Sequence, residues 1–148
     1  MLFKKVKNEY FKFTLLDDDT YEIAAKDVNN IPDKLVIPSF YEGKAVTAIG
    51  ISAFDDCNNL NFVEMPDSVN SIGKWAFYEC DSLTSVIIQS SVTYIGDSAF
   101  EACKSLTTIE IPSSVTEIGW GAFFNCSSLT NITVSENNPN YSSLKGDL

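Results

Sequence analysis

From residue 46 to residue 134 the apolar positions recur neither at the 3.6-residue step of a helix nor at the two-residue step of a long strand. Val46, Val69, Val92 and Val115 lie 23 residues apart, and so do Ile49, Ile72, Ile95 and Ile118. The same step carries Gly50, Gly73, Gly96 and Gly119, then Phe54, Phe77, Phe100 and Phe123, then Cys57, Cys80, Cys103 and Cys126, then Leu60, Leu83, Leu106 and Leu129. Val63, Val86, Ile109 and Ile132 form a further column, and Met65, Ile88, Ile111 and Val134 another. A period of this size predicts a solenoid in which each unit is one coil.

Within a unit the local pattern predicts the elements. Leu60-x-x-Val63-x-Met65 ends in strict alternation, so a short strand turns Val63 and Met65 inward and Phe62 and Glu64 outward. Pro66, Gln89, Pro112 or Ser135 then turns the chain, and a second extended piece follows, as in residues 92–95. Gly96 is expected to permit a tight change of direction. Residues 97–103 read as a short helical turn that points Ala99, Phe100 and Cys103 inward. One coil cannot bury these side chains, but stacked coils bury them in ladders spaced about 4.8 Å apart.

The stretch SVTYIGDSAFEACKSLTTIEIPSSV at residues 91–115 resembles the BspA-like leucine-rich repeats of bacterial and protist proteins. The resemblance runs over residues 35–142, and residues 35–50 look like the family's usual first repeat with a longer turn around Gly43. It implies an α/β repeat fold, a right-handed leucine-rich-repeat solenoid. Short strands would form the concave face and short helical turns the other side. It also implies a protein that binds other proteins or host surfaces, at the cell surface or secreted.

The ends do not repeat. Phe11, Phe13 and Leu15 alternate before Asp17-Asp18-Asp19-Thr20, and Tyr21 and Ile23 alternate after it, which predicts a β-hairpin with an acidic turn. Residues 1–33 are therefore expected to cap the first coil. Residues 34–136 would form about four to five coils, and residues 137–148 a tail rich in turn residues. That tail is expected to cover the last coil only in part, through Tyr141 and Leu144. Either the natural protein continues or another chain covers this end, which opens a route to self-association.

Charge narrows the partners. The chain of 148 residues has a net charge of −10, with ten lysines, no arginine and no histidine. Such a surface repels phosphate backbones, which argues against nucleic acid, and disfavours anionic lipid. No apolar run is long enough for a membrane span, and charges interrupt the N-terminal stretch MLFKKVKNEYFKF, so it reads as no signal peptide and the chain, as written, as cytoplasmic.

Little in the sequence suggests chemistry. The four cysteines lack the paired spacing of a zinc site, and rungs of one ladder lie in line rather than around a tetrahedron, so they read as buried reduced thiols. Asp17-Asp18-Asp19 lacks the spaced ligands and glycine of a calcium loop and reads as a solvated turn. No nucleophile–base pair can be assembled without histidine, and a shallow repeat sheet makes a poor water-excluding pocket; no catalytic residue, metal or cofactor is expected. The sequons at Asn125, Asn131 and Asn140 matter only in a eukaryotic secreted protein.

The positions that vary where the columns do not are the candidate site. The outward pairs on the concave strands are Lys34 and Val36, Phe62 and Glu64, Ser85 and Ile87, Thr108 and Glu110, and Asn131 and Thr133. Phe62 and Ile87 are apolar where solvent is expected and are read as neighbours across one coil step. Such a pair marks an interface or is the ordinary scatter of exposed apolar residues. Trp75 and Trp120 stand where other coils carry smaller or polar residues. They are either binding hot spots or packing against adjacent turns. The expected function is a non-enzymatic protein-binding or adhesion module, with a structural spacer of a larger surface protein as the alternative.

Overall fold

The computed structural model describes residues 9–141. It is a solenoid of about five turns whose regular elements, among the described residues, are all strands. The N-terminal strands are β1 (Phe11–Leu15), β2 (Tyr21–Ala25), β3 (Lys34–Val36), β4 (Phe40–Tyr41) and β5 (Lys44–Ile49). The repeats then contribute two strands each. These are β6 (Phe62–Glu64) and β7 (Ser71–Ile72), β8 (Ser85–Ile87) and β9 (Tyr94–Ile95), and β10 (Thr108–Ile111) and β11 (Glu117–Ile118). β12 (Asn131–Val134) closes the series.

The strands stack into two walls. One runs β1-β2-β5-β7-β9-β11 without a break, with β4 beside β5. The other is hydrogen-bonded as β3-β6-β8 and again as β10-β12. Pairing between coils is parallel and in register, Val63 opposite Val86 and Ile72 opposite Ile95, because residues one period apart occupy the same place on successive coils. Between the walls lie the inward columns. Phe54, Phe77, Phe100 and Phe123 stack face to face at 5.4, 5.3 and 5.6 Å between ring centres, with planes within 11° of parallel.

The segment expected to be helical is not. Each coil carries two residues in the left-handed region, at positions 52 and 56, 75 and 79, 98 and 102, and 121 and 125. Two left-handed residues four apart exclude a helical run. The hydrogen bonds show what replaces it. Ala99 N–H closes a turn on Gly96 O, Glu101 N–H on Ser98 O and Cys103 N–H on Phe100 O. The alternate groups, Ser98, Phe100 and Ala102 N–H, reach across to Trp120, Ala122 and Phe124 O of the next coil. An α-helix would keep those donors for itself; here the stack takes them.

The glycine column also serves a different purpose from the one expected. Gly50, Gly73, Gly96 and Gly119 do not occupy the left-handed region. A Cβ on Gly96 would lie 2.6 Å from Lys74 N and 2.8 Å from Gly73 C, and one on Gly119 2.3 Å from Asp97 N. At Gly73, Gly96 and Gly119 glycine is required because backbones of successive coils touch there, whereas a Cβ at Gly50 would meet the Glu22 side chain.

The N-terminal hairpin forms between β1 and β2, antiparallel, Phe13 opposite Ile23. It is not a separate cap. β2 pairs in parallel with β5, with an irregularity between Tyr21 and Glu22, so the hairpin is the first rung of the long wall. Residues 26–33 leave the hairpin through a turn, and residues 1–8 lie outside the described residues. In the acidic turn Asp18 Oδ1 accepts from Thr20 N–H at 3.1 Å, and Asp19 pairs with Lys44 Nζ at 2.7 Å.

Candidate functional site

The short strands β3, β6, β8, β10 and β12 turn alternate residues to the two faces, as period two requires. Leu35, Val63, Val86, Ile109 and Ile111 are buried, and Ile132 and Val134 are half-buried at the last coil. The outward set consists of Lys34, Val36, Glu64, Ser85, Ile87, Thr108, Glu110, Asn131 and Thr133, all exposed, with Phe62 half-buried. The register sorts them into two rows. One row carries Lys34, Phe62 and Ser85, then Thr108 and Asn131; the other Val36, Glu64 and Ile87, then Glu110 and Thr133. Phe62 therefore faces Ser85 and Ile87 faces Glu64; the two apolar residues are diagonal, not opposite. The second row alternates exposed apolar and acidic groups: Val36 is 62% exposed and Ile87 42%, on either side of Glu64.

The two tryptophans share a second feature. Trp75, Trp120 and Tyr78 border a groove of roughly 620 Å³ across the turns of four successive coils, with Lys74, Asp55, Asp97 and Glu101 beside them. Trp120 is 79% exposed and Trp75 40%. Lys74 Nζ lies 4.1 Å from the centre of the Trp75 ring, a cation over an aromatic face. Asp97 Oδ1 accepts the backbone N–H of Trp120 at 2.8 Å and so fixes the tip that carries it. Burial first, then the Asp56 and Glu79 carboxylates, hold the Asp55 acid above its ordinary range. Glu79 foremost, then burial and Glu101, raises the Tyr78 phenol. The 23-residue spacing places Trp75 and Trp120 in adjacent columns two coils apart, but only the fold shows both rings opening on the same groove.

The cysteine ladder lies on the inner side. Cys80, Cys103 and Cys126 Sγ donate to the carbonyl oxygens of Phe54, Phe77 and Phe100 of the preceding coils, at 3.1, 3.1 and 3.0 Å. All four thiols are free. Burial, with smaller contributions from Asp55 and Asp56, pushes the Cys57 thiol up to about 12, and burial likewise raises Cys80, Cys103 and Cys126. Such thiols are poor nucleophiles at neutral pH.

At the C-terminal end Asn138 Nδ2 donates to Pro112 O and Val115 O, and the Tyr141 hydroxyl accepts from Ile118 N–H at 2.9 Å. Leu144 lies outside the described residues. Beside this strap, Ile118, Phe123, Cys126 and Leu129 line an open cavity of about 530 Å³. Among the described residues no carbonyl takes the Gly121, Phe123 or Asn125 N–H, the donors that in earlier coils reach the next coil.

A family model described as BspA type leucine-rich repeat region matches residues 33–143 in six copies. A leucine-rich repeat protein from Bacteroides capillosus is similar over 88% of this chain and 97% of its own, at 30% identity and a TM-score of 0.77. The leucine-rich repeat protein of T. pallidum is similar over 87% of this chain and 71% of its own, at 27% identity and a TM-score of 0.70. A leucine-rich cell surface protein from Faecalibacterium prausnitzii matches 96% of this chain and 44% of its own, at 29% identity and a TM-score of 0.60. No curated protein sequence matches the chain.

Proposed function

We propose that this chain, which belongs to the BspA-type leucine-rich repeat family, is a non-enzymatic module that binds another protein through the outward face of β3, β6, β8, β10 and β12. The observation that carries the reading is the row Val36, Glu64, Ile87, Glu110 and Thr133, in which exposed apolar and acidic side chains alternate from Val36 to Glu110 and inter-coil hydrogen bonds hold β3, β6 and β8 together, and β10 to β12. A rigid row loses little entropy when it docks, and exposed apolar groups between charges suit a protein partner better than solvent. The surface location printed for the F. prausnitzii relative supports a place at the cell surface.

The test is a crosslinked capture from the source organism's lysate and from its extracellular medium. Wild type is compared with a Val36→Glu, Ile87→Lys double variant. Loss of a captured protein with an unchanged melting temperature supports the reading. Equal capture by both proteins refutes it for this face.

A second reading, a structural spacer that associates end to end, is favoured by the Gly121, Phe123 and Asn125 N–H groups, which no carbonyl among the described residues takes. Light scattering over a hundredfold concentration range decides it, and a constant monomer mass rejects it.

A further inference from the structure

We propose that the groove between Trp75 and Trp120 binds the cationic side chains of a basic peptide segment, at a place separate from the strand face. Three observations converge on that chemistry. The first is aromatic exposure. Both tryptophans of the chain open on this groove, and Trp120 leaves most of its surface exposed. Packing between adjacent turns, the other reading of these residues, does not account for a ring that is 79% exposed. Trp75 moreover sits in the left-handed region at φ 57°, where the corresponding positions carry Ser52, Ser98 and Gly121. A bulky side chain is disfavoured at such a backbone, and local rules are broken most often where a site needs the side chain.

The second observation is the sign of the field. Asp55, Asp97 and Glu101 line the groove, and its lysine, Lys74, already lies over an indole face. That contact shows the geometry a ligand would use: a positive group placed on a ring, with carboxylates beside it. The third is spacing. Trp75 and Trp120 stand on turns two coils apart, roughly 10 Å along the stack at the strand-pairing step, and the groove they share is wide enough for a guanidinium or ammonium group. A guanidinium fits best, because it stacks on an aromatic face and forks to a carboxylate at once. A net charge of −10 would draw such a segment in. A neutral sugar would also stack on the rings, but it would gain nothing from the acidic excess of the groove, three carboxylates against one lysine.

The experiment uses the whole chain and a fluorescein-labelled hexa-arginine peptide, read by anisotropy at low and at physiological salt. Tryptophan emission of the unlabelled pair is followed in parallel, and it reports on this groove directly because the chain has no other tryptophan. The variants are Trp75→Ser with Trp120→Ala, which changes no charge and restores the serine of neighbouring coils, and Glu64→Gln with Glu110→Gln, which removes two charges from the strand face. The expected result is saturable binding with a shifted tryptophan emission. Affinity should fall about tenfold in the tryptophan variant and stay within about twofold in the glutamine variant. Equal affinity in the tryptophan variant would mean diffuse charge attraction and would overturn the proposal. A shift of tryptophan emission by a neutral hexasaccharide, with none by the peptide, would overturn it in favour of a sugar platform. Unchanged thermal melts of both variants would confirm that the readout is binding rather than folding.

Discussion

Phe100 and Phe123 occupy the same place in successive coils, follow the same alanine and face the same interior, yet Phe100 is fully buried and Phe123 only half-buried. Cys103 and Cys126, and Ile95 and Ile118, differ in the same way. The only physical difference is the neighbour. Phe100 is stacked on both sides, by Phe77 and Phe123, whereas Phe123, among the described residues, has a ring on one side alone. The N-terminal end, by contrast, is closed: Phe11 meets Phe54 edge-on at 6.5 Å, and Ala25 N–H donates to Ala53 O. Burial in a solenoid thus belongs to the interface between coils rather than to the coil, as nearest-neighbour energetics requires.

The comparison is broken most forcefully at the phenylalanines. Phe100→Ala should cost about 4 kcal/mol in urea unfolding, the middle of the range for a buried ring, and Phe123→Ala about half of that. Equal costs would mean that the last coil is covered as fully as the inner ones. Next come the glycines. Gly96→Ala drives a methyl into the backbone of the preceding coil and should cost about 2–3 kcal/mol. At Gly50→Ala the methyl meets only the flexible Glu22 side chain, 3.0 Å away, and the cost should stay below about 1 kcal/mol.

The thiols give a pH test. Their folded pKa values are raised, so the unfolded chain, titrating near 9.0, loses protons first. The thiol contribution is fully present below pH 9 and is lost progressively above it, up to about pH 12 for Cys57. At pH 10 each of the buried thiols Cys57, Cys80 and Cys103 should lower stability by about 1 kcal/mol, and half-buried Cys126 by less because solvent screens it in part. The urea midpoint followed from pH 7 to 10 checks the direction, and Cys→Ala variants should flatten the slope. At neutral pH a thiol reagent should label half-buried Cys126 before Cys103. The smallest contrast is at the serines. Ser91 Oγ donates to Val69 O at 2.8 Å, whereas buried Ser68 Oγ has no partner. Ser91→Ala should cost about 1 kcal/mol, and Ser68→Ala should be neutral or slightly stabilising.

Much of this architecture was legible in the residues. The columns at step 23 identified the coil, the inward ladders and the alternation that exposes Val36, Glu64 and Ile87. The helical turn at residues 97–103 was misread for a definable reason. A short apolar pattern does not distinguish a helix from a turn with left-handed residues, and Ser98 and Ala102 carry no glycine signal for that backbone. The glycine column was misassigned because a glycine needed for close approach looks the same in one dimension as one needed for a turn. The register that puts Phe62 against Ser85 was implicit in the 23-residue step, since both precede an inward valine.

What the sequence determined by itself was the identity of each rung, since a side chain that recurs at a constant step must meet its own copy when coils stack. Which donors leave the turn for the next coil, how far the hairpin joins the long wall and whether the last rung is covered depended on neighbours in space. Hydrogen bonds and apolar contacts between coils have no counterpart within a single repeat. The groove of Trp75 and Trp120 belongs to the same class. Forty-five residues separate the two rings along the chain, and only stacking brings them to one surface.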